Sequence, residues 1–508
     1  MGAFAAMRCL CRVAMCPCRC CRRKFFPREA GLHGQQPMAR HDPMYDAPVI
    51  FVLGVILTSI GLSILVRAGA EQAQALASSL LALLLGVALI IVASSVRVKI
   101  WLRSGVFRYS VPTTLDEIQD LVRSPQSPTP FAEGWSFVQS RTKMSGPAML
   151  LGENWAGVVS WPTSETVRVR TGTRFGELTL ELWKRGRAFE DRPLFDQLSL
   201  GGAVRTAAHG ASTEAWFLET LVALQAVEVG TGELIEVHAG DPKFWEIAFD
   251  KRWVLLEVEL RHRKNQLARV RQSVHPIQEI LGKAEVARIE EEALNADAAG
   301  EWPDFDDATF KYIFTNGSQS VRRWVTVIPD DSAKINVEEV DFDGLELTCM
   351  SFQLETGLCL KGFDVVDSLA DMPTYLNVVS PLQYAFSCLG GSVNAEIFTA
   401  AAYDWQMVER VLAGFHATHG GRTEIRERRN GVSTVTAFDL VVHSTGEAAE
   451  SQMMEFWELL ARELKLEAAT VHPGKWQPSS LGPIAWIPFD TFWPAEVGKA
   501  APTTGPEY

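Results

Sequence analysis

Residues 198–212, LSLGGAVRTAAHGAS, crowd small side chains into one short run: Gly201, Gly202, Ala203, Ala207, Ala208, Gly210 and Ala211. Such crowding lets a backbone approach a ligand closely, and its free N–H groups can form a nest for an anion such as a phosphate. A tight packing turn between two helices would have the same composition. His209 lies in this loop, where a structural or phosphate-proximal place suits it better than a catalytic one. Far downstream, Glu424 and Arg426 stand at i and i+2 of Thr423-Glu424-Ile425-Arg426, which puts two charges on one face of a strand. Lys475, in His472-Pro473-Gly474-Lys475, adds a second cation. A solvated strand face within EIRERR and an ordinary surface lysine are the bland readings of the same residues. Neither a Ser/His/Asp nor a Cys/His constellation is evident, and metal-ligand spacing is absent outside the cysteine-rich N-terminus.

The elements that must carry these residues alternate strand and helix. Residues 166–171 alternate as a strand, and Thr173 can cap a helix over 175–185 that Gly186 stops. Residues 221–229 and 233–237 flank Gly230-Thr231-Gly232 and predict a hairpin. Asp241-Pro242 predicts an N-cap with a proline in the first helical position, opening a helix through Phe249. Strand, helix and hairpin in this order indicate an α+β domain. A charged amphipathic helix over 278–294 and an acidic loop over 302–307 place a boundary near residue 263.

At 508 residues, 47% hydrophobic and 21% charged, the chain is too long for one core and too apolar to be disordered throughout. A formal net charge of −13 argues against a broad nucleic-acid surface, so no nucleic-acid partner is expected. Six of the nine cysteines fall in the first 21 residues, which leaves no disulfide framework for the rest. Palmitoylation beside a basic stretch, a weak metal site and an organellar targeting peptide all remain readings of that tail.

Two uncharged runs, residues 47–66 and the stretch 76–96, are each long enough to span a hydrocarbon core of roughly 30 Å. Arg and Lys cluster before the first run and after the second, while the connector holds only Arg67. The positive-inside tendency therefore predicts a transmembrane hairpin with both chain ends, and the large domain, facing the cytoplasm of an endoplasmic reticulum or organellar membrane.

Several motifs occur in a recognisable order: Pro112-Thr113 with Glu117-Ile118, the loop Glu133-Gly134-Trp135-Ser136-Phe137, Gly172-Thr173 followed by Gly-Glu-Leu, the LGGAVRTAAHGAS loop, the hairpin LVALQAVEVGTGELIEV and FWEIAF. Over residues 111–262 the chain resembles the PCMH-type flavin-binding domain of the vanillyl-alcohol oxidase and para-cresol methylhydroxylase family. The resemblance implies FAD, with contacts at Gly134, Ser136, Gly201, Gly202, Thr206, His209 and Gly210. It also implies non-covalent FAD, because Trp135 stands where many members carry the histidine that bonds to the flavin. Glu133 beside a pyrophosphate and the shortened DKRWVLLEV at 250–258 depart from the family.

In the C-terminal half, Ala395-Glu396-Ile397-Phe398, the Glu424-x-Arg426 strand and His472-Pro473-Gly474-Lys475 resemble the sugar-lactone (aldonolactone) and alditol oxidase branch. The resemblance implies that Glu424, Arg426 and Lys475 are catalytic and that the reaction is oxidation of a hydroxyl on a small-molecule substrate, with electrons passing on to oxygen or another acceptor. Phe438 stands where the branch's site histidine would follow. The expected organisation is a tail (1–46), two membrane spans (47–103), a two-lobed FAD domain (104–262), an α+β substrate cap (263–445) and a segment returning to the flavin (446–508). Two other readings compete: a non-catalytic membrane scaffold of the same fold, and a reductase acting on a lipid such as a sterol.

Overall fold

A computed structural model describes residues 109–125, 128–131, 148–191, 193, 198–281, 308–327, 363–368, 393–430, 433–442 and 446–496. The apolar runs at 47–66 and 76–96, the N-terminal cysteines, the Gly134–Ser136 loop and the acidic loop lie outside them. Among the described residues no helix is long and apolar enough to cross a membrane.

The fold is α+β. In the first unit, β1 (Tyr109–Ser110), β2 (Thr129–Phe131) and β3 (Ala148–Leu150) form a small parallel sheet in the order β1-β3-β2. Helix α1 (Leu115–Arg123) follows β1, and its start is set locally: Thr114 Oγ1 accepts the Glu117 N–H while the Glu117 carboxylate accepts that of Thr114. An antiparallel five-stranded sheet has the order β4 (Val158–Ser160), β5 (Thr166–Arg170), β9 (Trp253–Arg261), β7 (Leu221–Glu228), β8 (Leu234–His238). Helices α2 (Phe175–Lys184), α3 (Leu200–Arg205) and α4 (Phe244–Phe249) bury Leu178, Leu200, Val204 and Ile247 with Val258 and Leu260 of its central strand. A two-stranded ribbon of β6 (Arg187–Ala188) and β10 (Arg263–Lys264) leads out of this unit.

Two helix starts differ from expectation. Arg174 rather than Thr173 caps α2, because Glu177 takes the Arg174 N–H while the Thr173 hydroxyl accepts from Gly157. Helix α4 begins at Phe244, since Asp241 closes a turn instead, accepting the N–H of Lys243 on its side chain and that of Phe244 on its carbonyl.

The second unit is one nine-stranded sheet, ordered β14 (Phe363–Ser368), β11 (Leu267–Pro276), β13 (Gln319–Val327), β12 (Phe310–Asn316), β16 (Arg422–Asn430), β17 (Ser433–Val442), β15 (Val393–Thr399), β18 (Ala468–Val471), β19 (Ala485–Trp486). Strand alternation divides its residues between two cores. Ala395, Ile397, Ile425, Phe438 and Leu440 pack against Leu412 and Phe415 of one long helix (Trp405–His419) and Phe456 and Trp457 of another (Gly446–Glu463). Phe398, Val435 and Ala437 point the other way and join the core of the first unit, together with Phe492 and Trp493 of the C-terminal helix (Phe489–Glu496). The sheet is thus buried on both faces, and one face meets the glycine loop.

Candidate active site

The meeting face carries charge. Register pairs Glu396 of β15 with Asp439 of β17, and Asp439 with Glu424 of β16, so three carboxylates form a row across adjacent strands. His472 extends the row, its N–H bonded to the Glu396 carbonyl. Such alignment without cations would cost several kcal/mol, and the neighbouring side chains supply them. Lys475 Nζ sits 3.0 Å from Glu396 Oε2 and also contacts Asp439 Oδ2. Arg426 Nη2 donates to Glu424 Oε2 at 2.6 Å, and its Nη1 lies 3.5 Å from Glu396 Oε1. Asn394 Nδ2 donates to the remaining Asp439 oxygen at 2.7 Å.

The glycine loop meets this row through His209. Its Nε2 lies 3.1 Å from Glu396 Oε1, its Nδ1 lies 3.0 Å from the Gly210 carbonyl, and its ring stacks on Trp216 at 4.4 Å between centroids. Both ring nitrogens thus face oxygens. A second contact closes the junction: a Cβ added to Gly474 would come within 2.5 Å of the Thr206 Cβ, so only glycine lets the His472–Lys475 turn approach the loop this closely.

Burial alone would raise the Glu396 carboxyl, but Lys475, His209 and His472 together hold it well below its ordinary value. Asp439 goes the other way, raised by burial and by its acidic neighbours despite Lys475. Burial lowers His472 to about 3, so the ring is neutral near pH 7.

His209, Glu396 and His472 each bring one ligand atom within 4.8 Å of the others, a set that could hold a metal. The hydrogen bonds argue against it. His472 Nδ1 accepts the Gly474 N–H at 2.9 Å, which leaves the proton of the neutral ring on Nε2, the atom that would have to ligate. Lys475 already supplies the local cation.

Glu424, Arg426, Lys475, Thr206 and His209 therefore converge, although Thr206 and Lys475 lie 269 positions apart in the chain. Two expectations are corrected. Phe438 does not occupy the site: it is fully buried on the helix-facing side, and Ala437 and Asp439 flank it on the site side. Gly210 does not offer its amide to a ligand, because that N–H donates to Asp191 Oδ2 at 2.9 Å. The amides of Gly201 and Gly202 are likewise spent, on the Thr171 carbonyl at 2.9 Å and on Ser199 Oγ at 3.3 Å. The loop meets solvent at Gly202 and, in part, at Gly201 and Thr206, where small residues let a cofactor approach the backbone; the Thr206 hydroxyl donates to the Gly202 carbonyl at 2.8 Å. Gly134 and Ser136 lie outside the described residues.

Sequence reasoning passed over Asp439, Asn394 and Asp191. A lone acid inside the apolar TVTAFDLVV was a signal for Asp439; Asp191 had none.

Comparison with known proteins agrees with the first unit. Residues 108–238 match the family described as FAD binding domain, so the chain carries such a domain. Among solved structures, a cholesterol oxidase from B. sterolicum is similar at a TM-score of 0.48 and 13% identity, covering 72% of this chain and 82% of that one. A solvent-stable cholesterol oxidase is similar at 0.47 and 15%, covering 72% and 83%.

Proposed function

We propose that this chain is a membrane-anchored, FAD-dependent oxidoreductase that oxidises a hydroxyl of a sugar lactone or alditol. The observation that carries the reading is the charged row of Glu396, Asp439 and Glu424, with Arg426 and Lys475, facing the loop of an FAD binding domain. Polar and charged groups on a buried face suit a polyhydroxylated substrate, whereas a sterol would want an apolar pocket.

FAD would be held without a covalent bond along the Gly202 and Thr206 rim and by Gly134 and Ser136, and when bound would supply the two-electron acceptor. The chain's own residues bind and move the proton. Asp439, its carboxyl raised by burial, is the best base in the row for a substrate hydroxyl. Lys475 holds Asp439 in place, and Arg426 with Glu424 orients the neighbouring oxygens.

The scaffold reading draws on one observation: the cations of the row are paired with its carboxylates. Colour separates the two. The full chain in detergent should show flavin absorbance at about one FAD per chain, released entirely by acid precipitation and bleached anaerobically by a lactone or alditol. Colourless protein that cannot be reconstituted sinks the enzyme. The hairpin and its cytoplasmic orientation have a separate test, because a glycosylation site engineered into the FAD domain should stay unmodified in microsomes.

A further inference from the structure

The loop that resembles a phosphate cradle already holds an anion. Asp191 is 1% exposed, and its carboxylate accepts three backbone N–H groups: Oδ2 from Gly210 and from Phe217, each at 2.9 Å, and Oδ1 from Ser212 at 3.2 Å. Three convergent amides are what an anion-binding nest offers, and here the chain fills it from within.

The placement of the donors gives the nest its consequence. Gly210 follows His209 and Phe217 follows Trp216, and those two residues carry the stacked rings. One carboxylate therefore ties down the backbone beside both. Between them, the segment joins the second unit: Thr213 N–H donates to the Thr309 carbonyl at 2.7 Å, Lys311 N–H to that of Ala211 at 3.0 Å, and Arg429 N–H to that of Thr213 at 2.7 Å. With both ends on Asp191 and its middle on β12 and β16, the segment holds His209 3.1 Å from Glu396.

We infer that Asp191 is the positioning residue of the site: it fills the anion nest of the LGGAVRTAAHGAS loop from within the chain and thereby sets His209 against Glu396. This goes beyond the proposed reaction and stands without it, because the nest and the His209 contact exist whether or not the chain binds flavin.

The test uses the full chain with Asp191→Asn and Asp191→Glu. Asparagine cannot accept three N–H groups, so hydrogen exchange at Gly210, Ser212 and Phe217 should speed up about tenfold or more in Asp191→Asn while β7 exchanges as in the wild type. Glutamate keeps the charge and should restore part of the protection. Histidine ¹⁵N spectra, with His209 assigned by its loss in His209→Gln, should show a His209 ring signal in Asp191→Asn that differs from the wild type, the other histidines being unaltered. Unchanged exchange at the three amides, or an unchanged His209 signal, overturns the assignment. FAD titration supplies an independent arm: if the nest were a phosphate site blocked by Asp191, the asparagine variant would bind FAD about tenfold tighter or more, and that result also overturns the assignment. If Asp191→Asn fails to fold, Asp191→Glu carries the test, because its longer side chain cannot meet all three amides as Asp191 does: incomplete protection at Gly210, Ser212 and Phe217 with an altered His209 signal supports the assignment, and wild-type values at both overturn it.

Discussion

Lys475 stands between two buried carboxylates, and this shapes what its removal does. Lys475→Ala strands Glu396, which is wholly buried, beside Asp439. Breaking a buried pair by deleting one partner costs about 3–5 kcal/mol, so the variant should lose stability in urea as well as reduce its flavin slowly. Adding Asp439→Asn should recover part of that loss, since one of the two stranded charges is gone. Unfolding free energy within about 1 kcal/mol of the wild type would show that the pairing does not form. His472 makes a complementary prediction in pH. Burial lowers it to about 3 from an ordinary 6.5, so the unfolded chain takes up a proton as pH falls through 6.5 while the folded chain does not. Its contribution is complete above pH 6.5 and is lost as pH falls toward 3, at about 1.4 kcal/mol per unit. His472→Gln should lessen the slope of the stability profile between about pH 6.5 and 5 by about 1.4 kcal/mol per unit, leaving the parts due to His262 and Glu219; an unchanged slope refutes the buried neutral ring.

At the scale of elements, register decides which residues can meet. In β17, Phe438 pairs with Ile397 and Ile425 on the helix side, while Asp439 pairs with Glu396 and Glu424 on the other. A shift of one residue exchanges the two faces, so Phe438 and the charged row stand on opposite sides of the same strand. Phe438→His should therefore create no new site residue. It should place a polar ring in an apolar core, cost about 1–3 kcal/mol in thermal or urea unfolding, and leave flavin reduction at the wild-type rate per folded molecule. Faster or slower chemistry would put position 438 at the site after all. Local features were legible in the sequence because they close within a few residues, as the Thr114–Glu117 cap and the hairpin at 230–232 do. Glu424, Arg426 and Lys475 were legible as types. Their convergence with His209 and Asp439 was not, because it depends on pairings between strands far apart in the chain. Asp191 was invisible for the same reason, its partners lying 19 to 26 residues away with no pattern between.

Across the whole molecule, the two units share one core rather than touching at a surface. Arg428 of β16 is fully buried and forms a two-pronged pair with Glu219, which follows Trp216 in the first unit, and burial raises that carboxyl to about 7 against the pull of the guanidinium. The C-terminal helix goes further. Trp493 is 0% exposed, stacks on Phe489 at 5.5 Å and on Trp216 at 6.0 Å, and lies edge-on to Phe398. Trp216 in turn carries His209, so the last helix supports the ring that joins the glycine loop to the charged row. Trp493→Ala removes a large side chain from a packed aromatic cluster, and such deletions cost about 3–5 kcal/mol. The loss should fall on the FAD domain although the residue lies some 230 positions beyond its end, near residue 262. Hydrogen exchange should show reduced protection of β7 and of the 209–217 segment in Trp493→Ala, with the melting temperature lowered. Deleting the chain from residue 482 onward should give a protein that neither holds flavin nor unfolds cooperatively. A truncated chain that keeps the wild-type melting temperature and its flavin would mean that the first unit closes its core alone, and that the C-terminal helix only rests upon it.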